Sequence, residues 1–329
     1  MRLRLVWLIL GAGALIWVAL YSSGASPVDA AYSLYRGSIG SGRTLSFTLK
    51  DFMPLLLAGI AVFVALRAGL FNIGVEGQLA VGALCSAVVA AGIGGAPGIV
   101  LAILAGIAGG ALWALPAGLI KAYRGGHEVI TTIMLNLIAL QMISWLINGP
   151  LLKPGGGSAG TRDILKSTQI PQVQLGTIEV SFTIIIGLLV LAAVWVWLKR
   201  SVSGYEFQAA GANPAAAELA GVSVSRVTVL AMLISGAIAG LTGALIVLGQ
   251  EHSFTGAIFA NYGFTGLGVA LLAGAAPVAL MLSAFLFAAL EQGKVDLQDY
   301  APKGTIYLII GVLLLVFAAI RYRKEPTHD

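Results

Sequence analysis

GIVLAILAGIAGGALWALPAGLI, residues Gly98–Ile120, is a run of 23 residues without a charged side chain. About 20 predominantly apolar residues of α-helix are enough to cross the hydrocarbon core of a bilayer. With no water there to satisfy N–H and C=O groups, a spanning segment must close its own backbone hydrogen bonds, so this run reads as a transmembrane helix. The pattern recurs along the chain. Further candidate spans are Leu5–Tyr21, Phe52–Leu66, Gly77–Ala91, Val129–Ile147, Phe182–Leu198, Val227–Leu248, Phe264–Ala275, Val278–Leu290 and Ile306–Ile320. Phe264–Ala275 and Val278–Leu290 are short for full crossings and are expected to be broken, tilted or re-entrant.

Composition gives the same class. The chain is 58% hydrophobic and 10% charged, with a mean hydropathy of +0.95, which excludes an ordinary soluble domain. Many of its 43 glycines fall inside the candidate spans, where small residues let helix backbones approach closely. The expected fold is all-α, a polytopic bundle forming one transmembrane domain over residues 1–329.

Basic residues orient the bundle, because Lys and Arg are enriched in cytoplasmic loops. With Arg2 and Arg4 inside, ten crossings put Arg67, the Lys121/Arg124 turn, Lys199, Arg200, Arg226 and the tail Arg321–Lys324 on the cytoplasmic side. Both termini are then cytoplasmic. Nine spans is the alternative, and it leaves the basic tail outside. Arg36, Arg43, Lys153, Arg162 and Lys166 run against the bias, in longer or polar loops. The N-terminus also imitates a secretory signal peptide, but Leu5–Tyr21 is longer than most signal cores and reads as an uncleaved first span.

Two polar stretches interrupt the oil. Asn148–Val180 is a long external loop broken by Pro154 and Gly155–Gly157; it reads either as a solvated connector or as a lid or docking surface. Lys199–Arg226 is a cytoplasmic hinge. Within it Asn213 and Pro214 form an N-cap and first helical residue, PAAAELA favours helix, and Gly221 stands where a left-handed C-terminal cap falls. A helix of about two turns is unstable alone in water, so it needs neighbours or a partner.

Few residues could carry chemistry. The Lys and Arg residues make no basic face for nucleic acid. Cys85 is single and lies in an apolar run, so no intrachain disulfide or cysteine metal site is expected. No hydrolase elbow, zinc helix or paired-cysteine motif occurs, and no P-loop, so any ATP hydrolysis belongs to another polypeptide. The informative stretch is Leu66–Gln78, LRAGLFNIGVEGQ, where Asn72, Glu76 and Gln78 sit at the mouth of a span among Gly69, Gly74 and Gly77. A carboxylate in hydrocarbon is costly, so Glu76 either faces the bundle interior or sits at the cytoplasmic interface beside Arg67. His127 and Glu128 open another span, followed by the polar stripe Thr131, Thr132 and Asn136; capping and interhelical bonding account for it. Gly74-x-x-Gly77 is echoed by Gly263-x-x-Gly266, and in the ten-span count the two segments start from opposite sides of the membrane. An inverted repeat gives such an echo; so does chance in a Gly/Ala-rich chain.

GLFNIGVEGQLAVGA (Gly69–Ala83), GGHEVITTIMLNLIA (Gly125–Ala139), the hinge GYEFQAAGANPAAAELAGVSVSR and YGFTGLGVALLAG (Tyr262–Gly274) follow one another in the order seen in a known family. The chain resembles the permease subunits of bacterial ABC importers for branched-chain amino acids, ribose and nucleosides, and FNIGVEGQ is most similar to the nucleoside/simple-sugar branch. The resemblance implies a bacterial inner-membrane protein that moves a small polar solute by alternating access, holds no cofactor and is not itself an enzyme. Its implied partners are ABC ATPase subunits carrying ATP and Mg, a second and usually different permease chain, and an extracytoplasmic substrate-binding lipoprotein. It also matches Gly211, Asn213, Pro214, Glu218 and Gly221 to the loop (199–226) that couples to the ATPase. Phe71, Asn72, Glu76, Gln78 and Asn136 are the expected route residues, an aromatic and amides suited to a polar ring-bearing solute. The rival reading is a secondary transporter driven by an ion gradient, which calls for buried mid-membrane carboxylates; a membrane enzyme or non-transporting subunit would need a constellation that is missing.

Overall fold

The computed structural model describes residues 11, 13–21, 24, 26–155, 159–256, 261–274, 276–299, 301–306, 308–309 and 311–312. Residues 13–21 of the first expected span are helical. Residues 5–10 and 12 of that span, most of Ile306–Ile320, Gly156 and Gly157, the basic tail and His328 lie outside the described residues.

The helices in chain order are α1 (Pro27–Ser38), α2 (Gly42–Arg67), α3 (Val75–Gly92), α4 (Gly95–Arg124), α5 (Glu128–Asn148), α6 (Thr183–Arg200), α7 (Val202–Ala212), α8 (Pro214–Leu219), α9 (Val224–Ile246), α10 (Tyr262–Ala273) and α11 (Pro277–Leu297). Among the described residues, α2 to α6, α9 with its extension to Glu251, and α11 are seven helices long and apolar enough to cross a membrane. The protein is a multi-pass helical membrane protein. The segment expected as the short span Val278–Leu290 is a 21-residue helix, long enough to cross, because its helical pattern runs on through the polar turn Glu291–Leu297. α10 stays short, at 12 residues.

The described residues gather into two compact units: the chain up to Phe52 with Gln174–Glu179 and the chain from Leu271 onward, and Met53–Val173 with Val180–Ala270. In the first, α1 lies along the end of α11. Gly37 and Gly293 let the two backbones close up, and Arg36 pairs with Asp296 at 3.1 Å. In the second, α3, α4 and α9 pack on a glycine seam. A methyl group on Gly240 would overlap the Gly106 carbonyl, and one on Gly110 would overlap Gly236. Side-chain volume is absent where the helices cross, so backbones touch directly, as dispersion-driven association in lipid requires. α3 and α9 are mostly buried by this packing, while α4, α5 and α6 turn most of their surface outward.

The loop Asn148–Val180 is not the solvated connector of one sequence reading. Ile164, Thr168 and Ile170 are buried, and the backbone is stitched to the ends of α3 and α9: Leu165 N–H donates to Ala90 C=O at 3.1 Å, Ile164 to His252 at 2.8 Å and Ile170 to Leu248 at 2.7 Å. Its last part forms a hairpin of β1 (Gln172–Leu175) and β2 (Ile178–Ser181). Apolar residues at 164 and 170 give the loop something to bury, which a purely polar connector lacks.

Candidate functional site

Two polar regions lie in the Met53–Ala270 unit, one inside it and one on its surface. The inner one begins where α2 ends. Gly69 takes φ +74°, Leu70 N–H reaches Ala65 C=O and Gly69 N–H reaches Leu66 C=O, both at 3.0 Å. This is the six-to-one, five-to-two closure of a Schellman cap, and only a residue without Cβ takes the left-handed position freely. The chain then turns inward, and Asn72 is wholly buried.

Asn72 is the centre of this region. Its Nδ2 donates to Ser235 Oγ at 2.8 Å and to Gln78 Oε1 at 2.9 Å. Its Oδ1 accepts from Gly74 N–H at 2.9 Å and from Gln78 Nε2 at 3.1 Å. Ser235 Oγ donates onward to Ala61 C=O at 2.7 Å. Asn136 on α5 closes the other side, accepting from Gly77 N–H and donating to Ile73 C=O, both at 2.9 Å. Two side-chain amides thereby satisfy the backbone of a broken helix start, as irregular backbone at membrane depth demands. Ser235 is the twelfth residue of α9, so the knot lies about 16 Å along that helix at 1.5 Å per residue. The expected mouth of a span is thus well inside it.

Glu76 is 5% exposed. Its Oε2 accepts from Gly263 N–H at 2.6 Å, with the backbone amides of Asn261 and Phe264 also directed at the carboxylate. The carboxylate caps the N-terminus of α10, where the helix dipole and unpaired N–H groups favour negative charge. The interfacial reading of Glu76 beside Arg67 is therefore corrected: Arg67 instead donates to Gln208 on α7 and lies over the Phe63 ring. The contact also brings together the two Gly-x-x-Gly segments, since a methyl group on Gly263 would overlap the Glu76 backbone. The starts of α3 and α10 meet inside the protein. Of the expected route residues, Asn72, Glu76, Gln78 and Asn136 converge in the knot, while Phe71 is 43% exposed. Ser235, not expected from the sequence, joins them; a lone hydroxyl in a glycine-rich span carries no signal until its partner is known. Thr132 bonds back to Glu128 C=O, and buried Glu128 pairs with Lys121 at 2.9 Å.

The outer region is the hinge. Ser201 caps α7 through Gly204 N–H at 2.9 Å, and Trp197 meets Phe207 edge-on with centroids 4.8 Å apart. Asn213 Oδ1 accepts from Ala216 N–H at 3.1 Å, Pro214 opens α8, and Gly221 at φ +87° ends it, with Val222 N–H on Ala217 C=O. The two-turn helix expected from the sequence forms with the expected caps. Gly211 stands apart from its exposed neighbours: a methyl group there would overlap the Arg67 carbonyl and crowd Gly69 N. α7 is therefore seated on the very turn that leads into the buried knot. Beyond it Asn213, Pro214, Glu218 and Gly221 are exposed. So are Val202, Tyr205 and Leu219, the last at 92%. Sequence reasoning passed over these three, although apolar residues in a polar hinge were the available signal.

Comparison with known proteins now bears on the whole chain. Residues 44–318 match the model of a family described as branched-chain amino acid transport system / permease component. The chain is 36% identical, over 97% of its own length and 94% of the relative's, to the guanosine ABC transporter permease protein NupP of Bacillus subtilis. It is 29% identical to the nucleoside ABC transporter permease protein NupB of Lactococcus lactis, over 95% of this chain and 88% of that one. To the glucose ABC transporter permease protein TsgB13 of Haloferax volcanii it is 30% identical, over 96% and 87%. With a spanning-helix bundle, a buried polar knot and a match that runs almost from end to end, the chain belongs to the permease-component family of the branched-chain amino acid transport system.

Proposed function

We propose that this permease is the membrane subunit of an ATP-driven importer for a nucleoside or a simple sugar. The observation that carries the reading is the exposed apolar set on α7 and α8, next to the Gly211 seat. Three large apolar side chains held out on a short capped hinge fit a surface that another protein covers. The substrate class follows relatives named for guanosine, nucleosides and glucose. ATP and Mg stay on a separate ATPase that docks through Gly211, Asn213, Pro214, Glu218 and Gly221; this chain holds no cofactor of its own. A second homologous permease chain and a binding lipoprotein complete the importer, the latter docking on the Asn148–Val180 loop. Ten spans with both termini in the cytoplasm of a bacterial cell remain the proposed topology. The meeting of the α3 and α10 starts at Glu76 and Gly263 supports an inverted repeat, since such repeats place broken helix ends at their interface.

Transport requires states open to either side, with partner contacts biasing between them. Closure of the ATPases moves α8 and α7, and the rigid Gly211 contact passes that movement to the Arg67–Gly69 turn. The turn is continuous with Asn72, so displacement loosens the knot, and Asn72, Glu76, Gln78 and Asn136 become polar lining beside the aromatic Phe71. The glycine seam lets α3, α4 and α9 shift without side chains to ratchet past. An ion-gradient drive is disfavoured because Glu76 is already engaged by the amides of α10. The test is uptake of labelled guanosine and glucose into proteoliposomes carrying this chain with its ATPase, second permease and binding protein. Uptake that needs internal ATP and survives collapse of ion gradients is expected; ATP-independent uptake that dies with a gradient would overturn the reading. In the same assay Glu76→Gln, which keeps an acceptor for Gly263 N–H but no charge, should assemble normally and slow uptake about tenfold, the size of one weakened charge-assisted bond of about 1.4 kcal/mol.

A further inference from the structure

At the end of α3 remote from the knot, a cavity of about 250 Å³ opens between that helix, the turn after α5 and the returning loop. Ala87, Val88 and Ala91 form one wall, Leu151 and Leu152 another, and Arg162 stands at the rim. We propose that this cavity binds an anionic phospholipid, an acyl chain lying along the α3 wall and the phosphate meeting Arg162.

The mouth is apolar and open, since Val88 is 45% and Leu152 41% exposed. Val88 stands on α3, a helix long and apolar enough to cross a membrane, and an exposed apolar side chain there suits contact with hydrocarbon. The chain just before Arg162 is tethered: Thr161 N–H donates to Phe254 C=O at 2.9 Å, Phe254 N–H to Thr161 Oγ at 3.0 Å, and Gly160 bridges to Thr255. The Arg162 charge is uncompensated among the described residues. Neighbouring Asp163 is paired with Lys153 at 2.5 Å, and Arg162 has no acidic partner among the described residues. A guanidinium beside hydrocarbon is costly unless it reaches the interface and finds an anion, and its planar fork suits two phosphate oxygens. An apolar slot ending at an arginine without an acidic partner is complementary to an anionic amphiphile. The transported solute fits poorly, because Thr161 and Arg162 are the only polar side chains among the described lining residues, too few to orient a nucleoside or sugar.

The test is native mass spectrometry of the full-length chain, extracted in detergent and equilibrated with equal amounts of phosphatidylglycerol and phosphatidylcholine. The natural chain should retain phosphatidylglycerol at least fivefold over phosphatidylcholine. Arg162→Gln should erase that preference, Arg162→Lys should keep most of it, and Ala91→Leu, which fills the slot but leaves the charge, should cut retention of both lipids severalfold. Unchanged thermal unfolding of the variants secures the comparison. Equal preference in the natural chain and Arg162→Gln overturns the proposal, as does full retention by Ala91→Leu. Displacement of the lipid by millimolar inorganic phosphate would show an ion site instead, and loss of retention in the assembled importer would show that a protein partner fills the slot; either result overturns it.

Discussion

The knot around Asn72 and the hinge around Asn213 are built from the same parts and face opposite ways. Each has an asparagine whose side chain accepts a backbone N–H two or three residues on, and each has a glycine in the left-handed region closing a helix. In the knot the polar groups point inward and bond one another, and the asparagine is completely buried. In the hinge the asparagine is exposed and the apolar Leu219 points outward beside it. The difference separates a holding element from a docking element. Buried polar groups must be matched within the chain, so the knot resists change locally. Exposed apolar groups await a partner, so the hinge contributes little until one is bound. Gly211 against Gly69 is where the two touch.

Breaking the knot should have the largest effect. Asn72→Leu removes the acceptor for Gly74 N–H and strips the Gln78 amide of its partner. Each buried group left unpaired costs roughly 1–3 kcal/mol, so a loss on the order of 4 kcal/mol is expected. That is a large share of the roughly 5–15 kcal/mol that holds a typical protein folded. Thermal unfolding in detergent should show a sharply lower midpoint, or too little folded protein to measure; a midpoint equal to the natural chain's would mean that water already serves these groups.

Next comes the contact between the regions. In Gly211→Ala the added methyl meets backbone on both sides, the Arg67 carbonyl and Gly69 N, and neither can swing away like a side chain. Overpacking of this kind costs about 1–3 kcal/mol. Because the strain falls on the Arg67–Gly69 turn, unfolding midpoint and ATP-driven uptake should drop together. A lowered midpoint with normal uptake per folded molecule would separate the seat from coupling.

Leu219→Ser should split the two readouts the other way. At 92% exposure the side chain is almost free of packing among the described residues, so stability should stay within about 0.5 kcal/mol of the natural protein. If Leu219 fills a pocket on the ATPase, its loss should weaken that association by about 2 kcal/mol, near thirtyfold in Kd. Titration of labelled ATPase against the purified permease measures it. An unchanged Kd would remove Leu219 from the docking surface.

The contrast between the regions also explains what could be read from the sequence. Spans and caps are local: the charge-free run Gly98–Ile120 and the sequence Asn213-Pro214 followed by Gly221 state their structure within a few residues, and both formed as expected. The knot is not local. Asn72 and Ser235 are 163 positions apart, and nothing in either neighbourhood names the other. Glu76 could be flagged as costly in hydrocarbon, but its partner is the N-terminus of a helix 187 positions later. The loop over α3 and α9 was ambiguous for the same reason, because much of its tether is backbone to backbone and backbone has no sequence signature. Exposed Leu219 was legible but missed, hidden by the helix-forming run in which it stands.

The smallest effect should come from the hinge's own cap. Asn213→Ala leaves Ala216 N–H without its side-chain acceptor and keeps everything else on α8, including Pro214 and the Gly221 closure. An N-cap of this kind is worth about 1 kcal/mol. Global stability should not register it, because a six-residue helix on the surface opens and closes by itself. Hydrogen exchange should register it, with the amides of Ala216 and Ala217 exchanging about fivefold faster while those of α3 and α9 stay unchanged. If the ATPase binds only the formed helix, its apparent affinity falls with the helical fraction. The shift in Kd should then be smaller than for Leu219→Ser, and Asn213→Ser, which restores an acceptor, should recover most of it. Faster exchange with no change in Kd would mean that the ATPase organises α8 on contact, and that the cap serves the free permease alone.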